Sequence, residues 1–317
     1  MRRQTSQSKI ALQPELSAKY ARLFELCKRE PKPDPAAETE LSSLLAEGLN
    51  PDRPDSDGVT PLFWSAREGN AVAASLLLDR KASVDALNEW RSSPLFWAAH
   101  NGRAEMAELL IMRKADATRA NSEAWTPLHR AARAEGGVLT VRKLMDHGAE
   151  VEVASEDGYT PVIVAAQAGR SEIVELLLNR GGKVNTRTKS KGWTALSWAA
   201  RNGHLGVVKL LLGRHAKVDS QDEDGYTASL WAAKNLHRDL SRELMSKNAD
   251  VNLATRQGYV PLHFYASSGD LRLVKELVKK KADVNLTNDE ERTAVVLAKE
   301  LGKRDVAAFL EPLSRIR

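Results

Sequence analysis

Aromatic side chains recur in this sequence at intervals of 33 or 34 residues, and they are the best candidates for binding chemistry. The row consists of Trp125, Tyr159, Trp193, Tyr226 and Tyr259. Tryptophan and tyrosine, together with arginine, dominate the binding energy of protein interfaces. The row therefore predicts a surface for noncovalent recognition.

A second row carries positive charge at related positions. Arg133, Arg201 and Lys234 each follow a pair of alanines. One interpretation is that any exposed helix face carries charge. Aromatic and cationic rows side by side, however, suit a partner segment that is acidic or that carries aromatic side chains. We predict that both rows bind such a partner.

A third group could form a pocket. Trp97, Trp198 and Trp231 occupy one position of the repeating pattern, and Arg130 takes that position between them. A buried arginine without a partner would be costly, so Arg130 should reach solvent, a carboxylate or a ligand. Two interpretations stay open: the tryptophans pack in a core, or the four residues line a pocket for a small molecule or a reaction.

Patterns typical of catalysis are missing from the sequence. It contains no nucleophile elbow, zinc-protease, phosphate-loop or dinucleotide-binding pattern. The seven histidines and single cysteine show no ligand spacing. We therefore predict no cofactor and no metal. Net charge is no nucleic-acid signature, because 42 acidic residues are interleaved with the 47 basic ones. Binding of single-stranded nucleic acid ranks last, because helical solenoids read bases with repeat-specific side chains and the repeats here show no regular polar pair.

The elements that must position these side chains are pairs of short helices. Between Gly192 and Asp219, Thr194 can cap a first helix, and Gly203 can break it through a positive φ angle. A second helix then presents Val207, Leu211 and their neighbours as an apolar stripe. Neither helix could bury that stripe alone, so copies must stack.

The capping position recurs along the chain with a step of 33 or 34 residues. It falls at Thr60, Ser93, Thr126, Thr160, Thr194, Thr227, Val260 and Thr293. A period of this size predicts a solenoid.

The motif TPLHRAA at 126–132, followed by the Leu-Leu and Gly-Ala signals downstream, resembles the ankyrin repeat. That resemblance covers roughly 40–317 and implies an all-α ankyrin-repeat solenoid of stacked helix-turn-helix units, with hairpin loops and a concave face. It places the five aromatics at the hairpins, facing outward on the concave side where partners commonly bind. It also makes His129, His263, His204 and His237 structural, bonding turn backbone.

The resemblance implies a noncatalytic scaffold or adaptor that binds a protein through the concave face. We predict a tail at 1–14, a divergent N-terminal capping repeat at 15–54, seven repeats at 55–288 and a C-terminal capping repeat at 289–317. The single cysteine, Cys27, favours a reducing compartment, either cytoplasm or nucleus. No run approaches 18 apolar residues, so we expect no membrane span. We also expect a monomer.

Overall fold

The computed structural model describes residues 14–30, 32 and 34–314 as an array of short helices. These residues form 18 α-helices and, within that part of the chain, no strand. Thr287 and Thr293 form an isolated antiparallel bridge. The predicted all-α class is confirmed.

The chain divides into two compact units. Unit 1 comprises Met1–Ser122 and Thr126–Ala149, and unit 2 comprises Glu123–Trp125 and Glu150–Arg317. The helices of unit 1 are α1 (Pro14–Cys27), α2 (Pro35–Ala46), α3 (Pro61–Glu68), α4 (Ala71–Asp79), α5 (Pro94–His100), α6 (Ala104–Met112), α7 (Pro127–Arg133) and α8 (Val138–Asp146). Those of unit 2 are α9 (Pro161–Gln167), α10 (Ser171–Asn179), α11 (Ala195–Arg201), α12 (Leu205–Gly213), α13 (Ala228–Lys234), α14 (Arg238–Ser246), α15 (Pro261–Ser268), α16 (Leu271–Lys279), α17 (Ala294–Glu300) and α18 (Arg304–Ser314).

From α3 onward the odd-numbered helices are the first helices of their pairs, and all eight begin directly after the predicted capping position. Thr194 and Thr227 accept hydrogen bonds from backbone N–H groups of the first turn, 3.1 and 3.2 Å away. Val260 has no such oxygen, and its own N–H donates instead to Nδ1 of His263.

The turn between the two helices of a pair also contacts the following pair and helps to hold it in position. Gly203 has φ +79°, and a Cβ there would lie 2.7 Å from the ring of His237. That ring sits so close because its Nε2 bonds the carbonyl of Arg201 at 3.1 Å. His204 bonds the carbonyl of Gln167 in the same way. The predicted structural role of these histidines is confirmed, and it joins successive pairs.

The core of each unit lies between its stacked helices. Ala199 and Ala200 are fully buried, which lets neighbouring first helices pack closely, and Leu211 of the second helix is fully buried as well. Tyr265 is an exception among these small buried residues. It occupies a position at which the other repeats have a small residue, and it is itself fully buried.

The domain boundaries stay predictions. Residues 1–13 of the predicted tail lie outside the described residues, and Pro14 begins α1. The segment 15–54 contains the rest of α1 and all of α2, and 289–317 contains α17 and α18.

Candidate partner-binding site

The five hairpin aromatics each directly precede the capping residue of a first helix. The hairpin backbone holds them in place: the N–H of Tyr226 donates to Oδ1 of Asp222 over 2.8 Å. The turn reverses at Gly225, whose φ is +81°. A Cβ there would lie 2.8 Å from the backbone nitrogen of Arg256 in the next hairpin. That nitrogen donates to the carbonyl of Asp224 over 2.9 Å, so neighbouring hairpins are bonded to one another.

The expectation that all five rings face outward is wrong for two of them. Trp193 is 9% exposed and Tyr226 is 8% exposed. Trp125, Tyr159 and Tyr259 are half-buried. The reason is that the buried hairpin rings pack against tryptophans of the first helices, so ring faces that would otherwise meet water meet other rings.

Six rings of unit 2 form one continuous series of contacts. In order the centroid distances are 5.8 Å for Trp125 and Tyr159, 6.2 Å for Tyr159 and Trp198, 4.0 Å for Trp198 and Trp193, 5.3 Å for Trp193 and Trp231, and 4.3 Å for Trp231 and Tyr226. Contacts of this kind stabilise beyond the area that they bury. The series joins four of the five predicted hairpin aromatics to two of the predicted pocket tryptophans.

Tyr259 lies apart from that series. Its ring packs against its own repeat, 5.5 Å from Phe264 and 5.8 Å from His263. The predicted aromatic row is therefore brought together over four members but not over the fifth.

Arg201 lies among three of the tryptophans. Its guanidinium carbon is 4.7 Å from the ring centroid of Trp193, 5.3 Å from that of Trp198 and 4.9 Å from that of Trp231. The side chain is half-buried and forms no salt bridge with any carboxylate of the described residues. Each cation–π contact contributes about 0.5 to 2 kcal/mol, and the contribution is larger where water is excluded from the contact. The rings thus hold a positive charge that no acidic side chain in the described part of the chain pairs with.

Lys234 continues the pattern one repeat further on. Its Nζ lies 4.6 Å from the ring of Tyr226 and 5.1 Å from that of Trp231, and it donates to the Tyr226 hydroxyl over 2.9 Å. Lys234 is exposed. We call the six rings with these two cations the ring–cation surface: Trp125, Tyr159, Trp193, Trp198, Tyr226 and Trp231, with Arg201 and Lys234.

Burial and nearby charges of this surface shift the pKa of the Tyr159 phenol. Partial burial and the negative charge of Asp157 raise the pKa of the Tyr159 phenol above its ordinary value, and the positive charge of Arg201 acts in the opposite direction. The phenol therefore stays neutral, and the field of Arg201 extends to this second repeat.

Two indole N–H groups of the array donate to an aspartate that lies nine residues earlier in the sequence. Trp231 donates to Asp222 over 3.0 Å, and Trp64 donates to Asp55 over 2.8 Å. The buried Nε1 atoms of Trp97, Trp193 and Trp198 have no acceptor among the described residues. Our sequence reasoning missed the two aspartates, although the recurrence of an Asp–Trp spacing of nine could have identified them.

The four predicted pocket residues form two separate groups. Trp97 and Arg130 belong to unit 1, whereas Trp198 and Trp231 belong to unit 2. Trp97 packs 5.5 Å from Phe63, and the guanidinium of the half-buried Arg130 lies 4.9 Å from the centroid of Phe96. A cavity of about 450 Å³ in unit 1 is lined by parts of α1, α2 and α4 and by none of the four. The pocket stays a prediction that neither group supports.

Unit 1 carries its own cationic row on its first helices. His100 packs 5.2 Å from Trp97, and Arg67 lies 5.8 Å from the centroid of that tryptophan. Partial burial, and then the positive charges of Arg130, Arg133 and Arg67, hold the pKa of His100 below its ordinary value. Arg133 thus belongs to this row and is exposed.

Candidate metal sites and membrane-spanning helices are absent from the described residues. No group of three or more histidine, cysteine, aspartate or glutamate side chains there is placed to hold a metal ion. Within the same residues no helix is long and apolar enough to cross a membrane.

A family model for ankyrin repeats, built on three copies, matches the chain in six overlapping spans. They are residues 36–121, 76–155, 113–188, 182–255, 207–288 and 230–313. The chain belongs to the ankyrin repeat family. No curated protein matches it in sequence.

Ankyrin repeats are generally protein–protein interaction modules, which is as far as membership carries the function of this chain. Within this ankyrin array, the ring–cation surface is the site that sequence and geometry both single out. It combines stacked rings with two cations and two indole donors that have no acidic partner or acceptor among the described residues.

Proposed function

We propose that this ankyrin repeat protein is a noncatalytic scaffold or adaptor that holds a protein partner on the ring–cation surface. The observation that carries the proposal is Arg201, held over three indole rings and paired with no carboxylate of the described residues. An arginine kept in place by rings is ready to bind without further loss of side-chain freedom. Tryptophan, tyrosine and arginine are also the residue types that dominate interface energies.

Two arginines at the second helices of unit 2 differ from Arg201, because each is paired with a carboxylate. This difference supports the ring–cation surface as the binding site. Arg214 is paired with Glu175 at 3.2 Å, and Arg242 with Glu276 at 2.9 Å. These two arginines, directly after α12 and within α14, are neutralised within the array, so a partner gains little by replacing those pairs. We therefore propose that the partner lies along the first helices and hairpins of unit 2. The predicted contact at Arg133, which belongs to unit 1, stays a prediction.

The test is affinity purification from the native host, followed by binding measurements with each co-purifying protein. Tyr159→Ala and Lys234→Ala remove half-buried and exposed members of the surface, and we expect them to weaken binding. A true anchor at an interface centre loses about 2 kcal/mol or more, whereas a rim cation changes mainly the association rate and its salt dependence.

Glu172→Ala and Lys209→Ala are the matched controls, since both residues are exposed on second helices of unit 2. They should leave affinity nearly unchanged. If they weaken binding more than Tyr159→Ala does, the partner lies on the second helices and the proposal is wrong. We propose that the protein resides in the cytoplasm or nucleus, because its single cysteine is buried and not in a disulfide. A monomer stays a prediction.

A further inference from the structure

Among the cations of the first helices in unit 2, Arg201 is distinguished by its surroundings. Three indole rings lie within 5.3 Å of its guanidinium carbon. Those rings exclude water from part of the group, and electrostatic interactions strengthen where water is excluded. The edges of a guanidinium carry its five N–H donors, so stacking on rings leaves the donors available for an acceptor.

Two further donors beside Arg201 also have no acceptor among residues 14–30, 32 and 34–314. The Nε1 atoms of Trp193 and Trp198 are buried and unpaired, and Trp193 as a residue is only 9% exposed. An unsatisfied buried donor typically costs about 1 to 3 kcal/mol. The matching indole in the next repeat, Trp231, avoids that cost by donating to Asp222 over 3.0 Å. The surroundings of Arg201 thus contain donors and positive charge, but no carboxylate of the described residues pairs with its guanidinium.

We infer that the partner segment supplies that carboxylate: an aspartate or glutamate side chain that binds the guanidinium of Arg201. This inference rests on the proposed function and names the chemistry of its partner. Carboxylate and guanidinium match in geometry and can form two parallel hydrogen bonds. Lys234 lies over the same ring as Arg201, that of Trp231, so it attracts a second acidic group of the same segment. The excess of basic over acidic residues in the whole chain, 47 to 42, has the sign that an acidic partner requires.

The experiment is a selection of peptides from a random phage-displayed library against the full-length protein. We expect the selected peptides to be enriched in aspartate and glutamate over the starting library. A synthetic copy of the strongest peptide should bind with a change in tryptophan fluorescence, because the indole rings surround the site. Replacing its acidic residues by asparagine and glutamine should weaken binding at least about tenfold, which corresponds to about 1.4 kcal/mol.

Arg201→Gln should cause a loss of similar size, since glutamine keeps a planar amide but removes the charge. Arg201→Lys should restore part of the affinity, because the charge returns without the bidentate geometry. Arg214→Gln is the matched control: it removes an arginine already paired with Glu175 outside the surface, and it should leave peptide affinity unchanged. Thermal melting of each variant verifies that the fold persists.

The outcomes separate the two proposals. Peptides without acidic enrichment that lose affinity with Tyr159→Ala but not with Arg201→Gln would overturn the carboxylate inference and leave the proposed function standing. Selected peptides indifferent to both variants, or a failure to select any, would overturn both. A single-stranded DNA oligomer that binds more tightly than the selected peptides would overturn both as well, since aromatic and cationic rows also suit stacked bases.

Discussion

The indole of Trp231 donates a 3.0 Å hydrogen bond to Oδ2 of Asp222, and the other oxygen of that carboxylate accepts from the hairpin backbone. One aspartate therefore ties the hairpin to the first helix of its repeat. In an earlier repeat Asn88 occupies the equivalent position. Its Oδ1 still accepts from the backbone of Ser92 over 2.9 Å, but neither its amide nitrogen nor Nε1 of Trp97 has a partner in the described part of the chain.

We expect Asp222→Asn to lower the free energy of unfolding by about 1 to 3 kcal/mol, since the buried indole of Trp231 would lose its acceptor. The reciprocal change, Asn88→Asp, supplies an acceptor for Trp97 and should raise the free energy of unfolding. Urea denaturation of both variants measures the effects. Equal stability of wild type and Asp222→Asn would contradict this account of the bond.

The hydroxyls of Tyr265 and Ser241 lie 2.5 Å apart in the interior of unit 2, where both residues are buried. Burial raises the pKa of Tyr265 to about 12, so the phenol stays protonated and the pair is held by a hydrogen bond without charge. Tyr265→Ala should cost about 3 to 5 kcal/mol through the cavity that it leaves. Tyr265→Phe should cost about 1 kcal/mol because it removes one partner of the hydrogen bond.

A double-mutant cycle with Ser241→Ala isolates that hydrogen bond. With both hydroxyls gone, no buried polar group is left unpaired, so the double variant should be more stable than the two single losses predict. Strict additivity of the two losses would show that the two hydroxyls are not coupled.

His263 should make stability depend on pH. Burial lowers its pKa, which backbone hydrogen bonds offset only in part. The folded protein therefore binds this proton less readily than the unfolded chain, whose histidine pKa is about 6.5. The stabilisation is complete above about pH 6.5 and is lost as the pH falls through that value toward the lower folded-state pKa.

The measurement is the unfolding free energy of wild type and of His263→Gln at several values between about pH 5 and pH 7.5. The wild-type advantage should shrink toward the acidic end, where the buried imidazole must accept a proton. An advantage that is constant across the range would mean that His263 has no depressed pKa.

Trp193 and Tyr159 should behave differently although both belong to the ring–cation surface. Trp193 is buried against Trp198 and Trp231, so Trp193→Ala should destabilise the fold by about 3 kcal/mol or more. Tyr159 is half-buried, and its loss should cost clearly less stability. The melting temperatures of the two alanine variants measure this difference in stability. A smaller shift for Trp193→Ala than for Tyr159→Ala would contradict the burial that the structure assigns.

The sequence by itself determined the repeating unit. A capping residue, a pair of alanines and an apolar stripe are local signals, and their recurrence fixes where each helix begins, as Thr194 and Gly203 illustrate. The structural role of His204 and His237 could also be predicted, because it follows from their place in the repeat. For the same reason, the residue types of the candidate site could be predicted from the sequence.

Only the tertiary structure decided what each of those residues contacts. Trp193 and Tyr226 repeat at the same position as Tyr159, yet they are buried, because burial depends on which rings the neighbouring repeats present. The sequence pattern placed Arg201 and Lys234 in one row with Arg133, but it could not show that three indoles surround Arg201. Contacts between repeats join residues that are about 30 to 40 positions apart, such as Trp193 and Trp231 at 5.3 Å, and a single repeat contains no information about them.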